Sequence, residues 1–238
     1  MNSRVTEATA PLVSIIVPVF NEAGTVVIVI DRLLHIELPV AREIIVVNDG
    51  STDGTRAALE YMSPNSLVSV IHGDRNRGKG HAVRTGLARS RGSIVAIQDA
   101  DLELDPAQLT DLVTPVLSGE ADVVYGSRFL SPTDAPFITV AGNKVLTGIT
   151  NVLFGSSLTD METCYKVMRG EIARSLALTA DRFDIEPEIT ARLLRRGHRI
   201  VERPVRFAAR SRSAGKKMRW RDGWMALRVL VFERLRRR

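Results

Sequence analysis

The chain has 238 residues, 45% hydrophobic and 25% charged, and its formal net charge is +6. This composition is typical of a globular protein with one sizeable α/β core, and it excludes disordered and collagen-like chains. The single cysteine, Cys164, excludes an intrachain disulfide. We expect neither a secretory leader nor a spanning helix. The N-terminus lacks an apolar core, and no uninterrupted apolar run reaches about 20 residues.

Charge is distributed unevenly along the chain. The segment from Arg195 to the C-terminus holds 16 Lys and Arg but only 3 acids, so the preceding residues are net acidic. Basic tails of this kind contact nucleic acid, anionic lipid or phosphorylated substrates. Nucleic acid is the weakest of the three interpretations, because the body is acidic and the tail carries no zinc-finger or RRM signature.

Apolar runs alternate with helical patterns through most of the chain. Strands are predicted at 13–19, 43–47, 67–71, 94–98 and 122–125, and a short strand at 199–205. Helices are predicted at 25–35, from about 53 to 62, from the loop at 73–80 through 89, and after Pro106. Alternating strands and helices form parallel βαβ units. The sequence therefore predicts an α/β fold with a Rossmann-like, mostly parallel sheet flanked by helices.

Polar side chains follow three of the predicted strands at the point where each ends. Asn21 and Glu22 follow the first strand, Asp49 follows the second, and Asp99 and Asp101 follow the fourth. The carboxyl ends of parallel strands meet at one edge of the sheet, where open α/β sheets bind their ligands. The sequence therefore predicts a binding site at this edge.

Three acids stand at alternate positions after the fourth strand: Asp99, Asp101 and Glu103. In an extended backbone alternate side chains share a face, so these carboxylates are expected to converge. Hard oxygen ligands suit Mg²⁺ or Mn²⁺, which commonly adds substrate phosphates to its coordination shell. The alternative interpretation is a solvated acidic turn, in which Asp105 caps a helix that begins at Pro106.

Two common nucleotide-binding motifs are missing. No G-x-G-x-x-G follows the first strand, which argues against a dinucleotide dehydrogenase. The loop RNRGKG at 75–80 is glycine-rich and basic, but it lacks the P-loop pattern. It is either a phosphate- or base-binding loop at a helix N-terminus or a solvated turn.

Two segments in the second half suit a membrane surface. Residues 136–155 are mostly apolar and predict either a buried helical hairpin or a segment lying at a membrane interface. Residues 216–238 predict an amphipathic helix, with an apolar stripe at Trp220, Trp224, Leu227 and Val231. Trp and Arg on such a helix suit a lipid interface. The alternative is a helix docked on its own domain with a solvated basic face.

A series of motifs resembles glycosyltransferase family 2, which has the GT-A fold. They are VPVFNE at 17–22, VVNDGSTD at 46–53, NRGKGHA at 76–82 and DAD at 99–101. Motifs in the second half look like the branch of dolichol-phosphate mannose synthases and bacterial polyprenyl-phosphate sugar synthases. These are GSRF at 126–129, TDMETCYK at 159–166, FDIEPE at 183–188 and GKK at 215–217. The resemblance covers roughly residues 12–225.

The resemblance implies roles for individual residues. A GDP- or UDP-linked sugar would be held by Pro18, Phe20, Glu22, Asp49, Lys79 and Asp99. Mg²⁺ or Mn²⁺ would be bound by Asp99, Asp101 and Glu103. A polyprenyl phosphate acceptor would be met by Arg128, Lys144, Lys166 and Glu186, and the residues implied in catalysis are Asp99, Asp101, Arg128, Arg210 and Lys216. Glu103 departs from a frequent glutamine and Asn48 from a frequent aspartate. Lys144 stands in for an acceptor arginine missing between 128 and 169.

The same resemblance implies a domain plan and a reaction. The plan is a flexible N-terminus at 1–11, a GT-A domain at 12–210, and a basic mobile loop with a membrane-contacting helix at 211–238. Within the GT-A domain, residues 12–130 would take the nucleotide sugar and metal, and residues 131–210 the acceptor. The expected reaction is inverting transfer of a hexose to polyprenyl phosphate at the cytoplasmic face of a membrane, to which the protein binds peripherally.

A phosphate monoester is largely dianionic near neutral pH, so this acceptor needs no general base. One alternative is transfer to a sugar or protein hydroxyl, which needs a base such as Glu186 or Glu188. The other is a non-catalytic regulator that binds nucleotide sugar or docks on lipid.

Overall fold

The computed structural model describes residues 10–62, 64–133, 135–209 and 220–236. The strands are β1 Leu12–Val19, β2 Ala41–Asn48, β3 Val68–His72, β4 Ile94–Ile97, β5 Val123–Ser127, β6 Lys166–Arg169 and β7 Ile200–Pro204. The helices are α1 Val26–His35, α2 Thr55–Met62, α3 Lys79–Arg89, α4 Leu109–Leu117, α5 Phe137–Phe154, α6 Gly170–Ser175, α7 Ile185–Arg195 and α8 Trp220–Leu235. A 3₁₀ turn, Pro106–Gln108, precedes α4, and the Asp105 side chain caps it by accepting from the Ala107 amide.

The strands form one seven-stranded sheet in the order β3-β2-β1-β4-β6-β5-β7. β1 pairs in parallel with β2 and β4, β2 with β3, and β5 with β7. β6 runs antiparallel to both of its neighbours, β4 and β5. The mostly parallel sheet agrees with the prediction, but β6 was not predicted. β6 has only four residues, KVMR. Because both of its ends are charged, it does not form the apolar run by which a strand is recognised.

The core covers both faces of the central strands. All four residues of β4 are buried, and because successive side chains point to opposite faces, neither face of this strand meets solvent. α1 buries Val26, Val29, Ile30 and Leu33, a spacing that forms one stripe on a helix. The apolar residues whose spacing predicted these elements are therefore the residues that pack in the core.

Residues 137–154 form the single helix α5, so the predicted hairpin is wrong. Gly142 and Gly148 lie within the helix without interrupting it, and it ends at Gly155, which adopts φ 68°. By length and composition α5 is long and apolar enough to cross a membrane, with 17% of it buried in the protein. The expectation of no spanning helix rested on uninterrupted apolar runs, and α5, which Asn143 and Lys144 interrupt, is a candidate by length and composition alone.

The polarity of α5 is inverted relative to an ordinary surface helix. Its buried positions are Asn143, Thr147 and Thr150, while the exposed fractions of its apolar side chains include 87% for Phe137 and 86% for Val152. Thr147 Oγ1 donates to Asn143 Oδ1 at 2.9 Å and accepts from the Met161 amide at 3.1 Å. The inward face is therefore a polar support for the segment around 160.

The C-terminal helix α8 docks on the domain through a face other than the predicted stripe. Ala226, Leu230 and Glu233 are buried, whereas Trp224 is 67% and Val231 41% exposed. Glu233 accepts from Arg192 Nε at 3.0 Å and lies 3.3 Å from Arg195, so its buried carboxylate is neutralised by α7. The helix therefore docks on its own domain, as the alternative interpretation expected, while its contact with lipid stays a prediction.

Candidate active site

The carboxyl ends of β1, β2 and β4 enclose a cavity of about 130 Å³. It is lined by all of the residues predicted to hold a nucleotide sugar, together with Asp101: Pro18, Phe20, Glu22, Asp49, Lys79, Asp99 and Asp101. Asn76, Ala82 and Phe183 also contribute to the wall. Phe183 comes from the second half of the chain and was not assigned to the donor site, because sequence order gives no sign of this contact.

Asp49 anchors the glycine-rich loop to the end of β2. Its carboxylate accepts from the amide of Arg77 at 3.0 Å and from the amide of Gly78 at 2.6 Å. Gly50 has φ 67°, and a Cβ there would lie 2.3 Å from the carbonyl carbon of Arg75. A glycine is therefore required where the two loops cross. The loop at 75–80 is thus held at the cavity, which Asn76 and Lys79 line, although residues 75–77 remain exposed to solvent.

The turn after β1 is held by side chains of the turn after β2. Asn21 has φ 54°, and its Oδ1 accepts from the Thr52 amide at 2.8 Å. The amide of Glu22 donates to Thr55 Oγ1 at 2.9 Å, and Thr25 Oγ1 lies 2.9 Å from Glu22 Oε2. These contacts fix the Glu22 carboxylate at the cavity, where only 8% of the residue is exposed.

The three alternating acids do not converge as predicted. The chain turns after Asp99, Leu102 has φ 61°, and the Glu103 amide donates to Asp101 Oδ1 at 3.2 Å. Alternate side chains share a face only in extended backbone, so the periodicity argument fails here. Within the described part of the chain, no group of three or more His, Cys, Asp or Glu side chains is arranged to hold a metal ion. Glu103 is not among the cavity-lining residues.

Asp99 and Asp101 nevertheless fit a divalent cation that arrives with a diphosphate. Mg²⁺ is commonly bound by one or two carboxylates plus substrate phosphates, and not by a cage of protein ligands. The cavity presents the carboxylates of Glu22, Asp49, Asp99 and Asp101 but one ammonium, that of Lys79. A diphosphate entering this surface needs additional positive charge beside it.

A row of alternating charges runs from the cavity wall into the interior, and we call Asp99, Lys79, Glu186 and Lys166 the charge row. Lys79 Nζ lies 2.8 Å from Asp99 Oδ1 and 2.9 Å from Glu186 Oε1. Glu186 Oε2 lies 2.5 Å from Lys166 Nζ. Burial alone would raise the pKa of Glu186, but the ammonium groups of Lys166 and Lys79 outweigh burial and hold that pKa below its usual value.

The ammonium of Lys166 is occupied by partners inside the protein. Its side chain is 0% exposed, and its ammonium also donates to the carbonyls of Met161 and Thr163 and lies 4.7 Å from the centroid of the Tyr125 ring. Glu186, with 3% of the residue exposed, is likewise committed to two lysines. The structure corrects both assignments as acceptor contacts, because buried charges need their partners. Both positions were predicted from a motif, which carries no information about burial.

Arg128 lies apart from the donor cavity and is held by Asp160. Its Nε and Nη2 donate to the two oxygens of Asp160 at 2.7 and 2.8 Å, and Asn143 of α5 donates to the same carboxylate at 2.8 Å. Phe129 and Phe207 flank the guanidinium at 5.7 and 5.4 Å. Burial would lower the pKa of Arg128, but Asp160 outweighs burial and holds it above its usual value. Lys144, also predicted to bind the acceptor, is exposed on α5, and Arg210 and Lys216, which were implied in catalysis, lie outside the described residues.

Residues 14–176 match the family model described as glycosyl transferase family 2. The chain belongs to glycosyl transferase family 2. An undecaprenyl-phosphate mannosyltransferase of Micrococcus luteus is 30% identical over 216 residues, which cover 84% of this chain and 85% of that protein. A low-salt glycan biosynthesis hexosyltransferase of Haloferax volcanii is 27% identical over 228 residues, or 93% of this chain. The chain spans 54% of the length of that second relative.

The fold is the GT-A fold that the motifs implied. A crystal structure of glucosyl-3-phosphoglycerate synthase from Mycobacterium tuberculosis, with Mn²⁺, UDP-glucose and phosphoglyceric acid, matches with a TM-score of 0.74 at 20% identity. The match covers 95% of this chain and 80% of that chain. This family 2 glycosyltransferase thus combines the expected sheet with a cavity at its carboxyl edge.

Glu162 lies among these charges without a matching cation. Its Oε1 is buried and has no hydrogen-bond partner among the described residues. The pKa of Glu162 is raised to about 7, mainly by burial and then by the carboxylate of Glu186, while Lys166 and Arg128 oppose the rise. The folded protein therefore holds a proton on Glu162 that the unfolded chain releases near pH 4.5.

We predict that Glu162→Gln stabilises the protein at pH 8 more than at pH 5. Because the folded-state pKa is raised, the stabilisation that Glu162 gives when protonated is lost as pH rises from about 4.5 to about 7. One pKa unit is worth about 1.4 kcal/mol, so we expect a gain of at least about 1 kcal/mol at pH 8. Urea unfolding at both pH values measures it, with the exposed Glu60→Gln as control. Equal changes at the two pH values would contradict the assignment.

Proposed function

We propose that this enzyme is an inverting transferase that moves a hexose from a UDP- or GDP-linked sugar to a polyprenyl phosphate. The observation that carries the proposal is the donor cavity, where a strand-end carboxylate pair, Asp99 and Asp101, lies beside apolar and aromatic walls. Such a cleft suits a base, a diphosphate and a cation together. The polyprenyl acceptor is supported by the Micrococcus luteus relative, whose name specifies undecaprenyl phosphate.

In the proposed donor complex, the chain's own groups orient the nucleotide. Pro18, Phe20 and Phe183 offer apolar surface to the base and sugar, and Glu22 is fixed where it can accept from ribose hydroxyls. Asp99 and Asp101 would hold Mg²⁺ or Mn²⁺, which would act as a Lewis acid on the leaving diphosphate. Lys79 supplies a protein cation on the same side.

The proposed reaction is a direct displacement at the anomeric carbon. A phosphate oxygen of the acceptor forms the new bond to that carbon while the bond to the diphosphate oxygen breaks, and the nucleoside diphosphate leaves. No proton is removed from the dianionic acceptor, so the chemistry requires no base. In-line attack inverts the configuration, and an α-linked donor gives a β-linked product.

The surroundings of the two candidate bases favour this acceptor over a hydroxyl. Glu186 lies between two ammonium groups that lower its pKa. Glu188 lies 2.5 Å from Arg192 and accepts from the amides of Thr179 and Ala180. Both carboxylates are buried and occupied by these partners, so neither candidate base is open to a hydroxyl acceptor.

We also propose that the protein binds peripherally to the cytoplasmic face of a membrane through a lipid surface on α5 and α8. The two helices pack together, with Leu230 of α8 in one cluster with Leu146 and Ile149 of α5. The lipid surface comprises the exposed apolar side chains Phe137, Ile138, Val145, Val152, Trp224, Val231, Phe232 and Leu235. Exposed cations accompany them: Lys144, Arg228, Arg234 and Arg236. Apolar side chains with interspersed Lys and Arg are typical of helices that lie in an anionic lipid interface.

Product formation tests the reaction directly. The protein is incubated with Mg²⁺, polyprenyl phosphate and each of a panel of labelled UDP- and GDP-sugars. We expect the label of one sugar to appear in the organic extract, as the polyprenyl-phospho-sugar. Asp101→Asn keeps the size of the side chain but removes an anionic ligand, and we expect it to lower kcat at least about 100-fold. Full activity in EDTA, or near-normal turnover by Asp101→Asn, would refute the metal role. Sugar transfer only to water-soluble hydroxyl acceptors would refute the acceptor class.

Arg128 is predicted to bind the acceptor phosphate. Loss of a charge-assisted phosphate contact costs about 1.5–3 kcal/mol, so Arg128→Ala should raise the KM for polyprenyl phosphate roughly 10- to 100-fold, with little change in donor KM. Arg203→Ala removes an arginine that is paired with Glu120 on the surface, and it serves as the matched control. Because Arg128→Ala leaves Asp160 without its cation, urea unfolding must accompany the kinetics. An equal rise in both KM values would count against the role.

The lipid surface is predicted to bind anionic liposomes, and added salt should weaken the binding because it screens the cationic part. A variant with Val145→Ser, Val152→Ser, Trp224→Ser and Phe232→Ser should lose most of the sedimenting fraction. Tyr61→Ser removes an apolar side chain that is 80% exposed on α2 and should sediment like the wild type. If the fourfold variant and the wild type sediment equally, these helices do not form the anchor.

A further inference from the structure

The charge row gives Lys79 two competing carboxylates. Its ammonium lies 2.8 Å from one oxygen of Asp99 and 2.9 Å from the other, and also 2.9 Å from Glu186. Both carboxylate oxygens of Asp99, the proposed metal ligand, therefore face the ammonium of Lys79. The Lys79 side chain is only 11% exposed, so water screens these contacts weakly.

The far end of the charge row is rigid. Lys166 is fully buried and is bound by Glu186 and by the carbonyls of Met161 and Thr163. Glu186 is thereby held in place, with its second oxygen directed to Lys79. Of the two lysines, only Lys79 lines the donor cavity. Lys79 is thus the cation of the row that can respond to a ligand.

We propose that Lys79 is a positioning residue that competes with the divalent cation for Asp99, and that Glu186 weakens this competition. In the absence of ligand, the ammonium of Lys79 neutralises Asp99 and holds its carboxylate at the cavity. When Asp99 turns an oxygen toward a divalent cation, Lys79 retains Glu186 as a partner, so no buried ammonium is left unpaired. The inference rests on the proposed metal site, and it gives Glu186 a role that is neither base nor acceptor contact.

Two substitutions should shift metal affinity in opposite directions. Lys79→Met removes the competing cation and leaves Asp99 near the carboxylate of Glu186, so Mn²⁺ should bind about tenfold more tightly. Glu186→Gln leaves Asp99 as the one carboxylate facing Lys79, so Mn²⁺ should bind about tenfold more weakly. Electron paramagnetic resonance of free Mn²⁺ at saturating UDP or GDP, with the nucleotide alone as reference, gives both dissociation constants without acceptor or turnover. Glu60→Gln on the surface should leave the constant unchanged.

The direction in which Lys79→Met changes the Mn²⁺ affinity decides the test. This variant leaves the Glu186–Lys166 pair intact, so it is expected to fold even if Glu186→Gln does not, and circular dichroism checks both. Unchanged or weaker Mn²⁺ binding by Lys79→Met would overturn the inference while leaving the metal site in place. A wild-type protein that binds no Mn²⁺ would overturn the proposed metal site and this inference with it. If the wild type transfers no sugar to polyprenyl phosphate while the opposed shifts are observed, the proposed acceptor is refuted and this inference stands.

Discussion

The ammonium group of Lys79 joins the two halves of the chain at the donor cavity. Lys79 begins α3 in the first half, and its partners are Asp99 at the end of β4 and Glu186 on α7 in the second half. An unpaired charge at this depth would be strongly destabilising, so each side chain of the charge row requires the others. The wall of the donor cavity also depends on close contact between the two halves of the chain. A Cβ on Gly80 would lie 2.4 Å from the Ala180 carbonyl, which is the close approach that brings Phe183 to the site.

The sequence predicts the parts of this fold that depend on local pattern. β1, β2, β4 and β5 are recognisable because buried central strands are continuous apolar runs, and their ends then locate Asp49, Asp99 and Asp101 at one edge. β6 could not be predicted in this way, because its pairing with β4 and β5 depends on partners that are distant in sequence. Motif and strand order together were sufficient to assemble the donor cavity, whereas Phe183 joins it only through tertiary contact.

Two site predictions failed for different physical reasons. Convergence of Asp99, Asp101 and Glu103 assumed an extended backbone, and the left-handed conformation of Leu102 removes that premise. Lys166 was assigned to the acceptor through the motif at 159–166, which carries no information about burial. Its burial depends on Glu186, which lies 20 residues further along the chain. Periodicity and composition describe one segment at a time. They therefore cannot show that a lysine is paired, inside the protein, with a carboxylate from a distant segment.

The inverted polarity of α5 connects the acceptor residue to the lipid surface. Asn143 on the inner face donates to Asp160, and Asp160 holds Arg128, so the candidate phosphate ligand is one side chain removed from this helix. The outer face carries Phe137, Ile138, Val145 and Val152, which are 61–87% exposed and together form an apolar surface. A polyprenyl phosphate has its phosphate directly attached to an apolar chain that cannot leave the bilayer without losing about 0.8 kcal/mol per CH₂. An enzyme acting on it needs a phosphate ligand near an apolar surface, and a helix that is polar inside and apolar outside meets both needs.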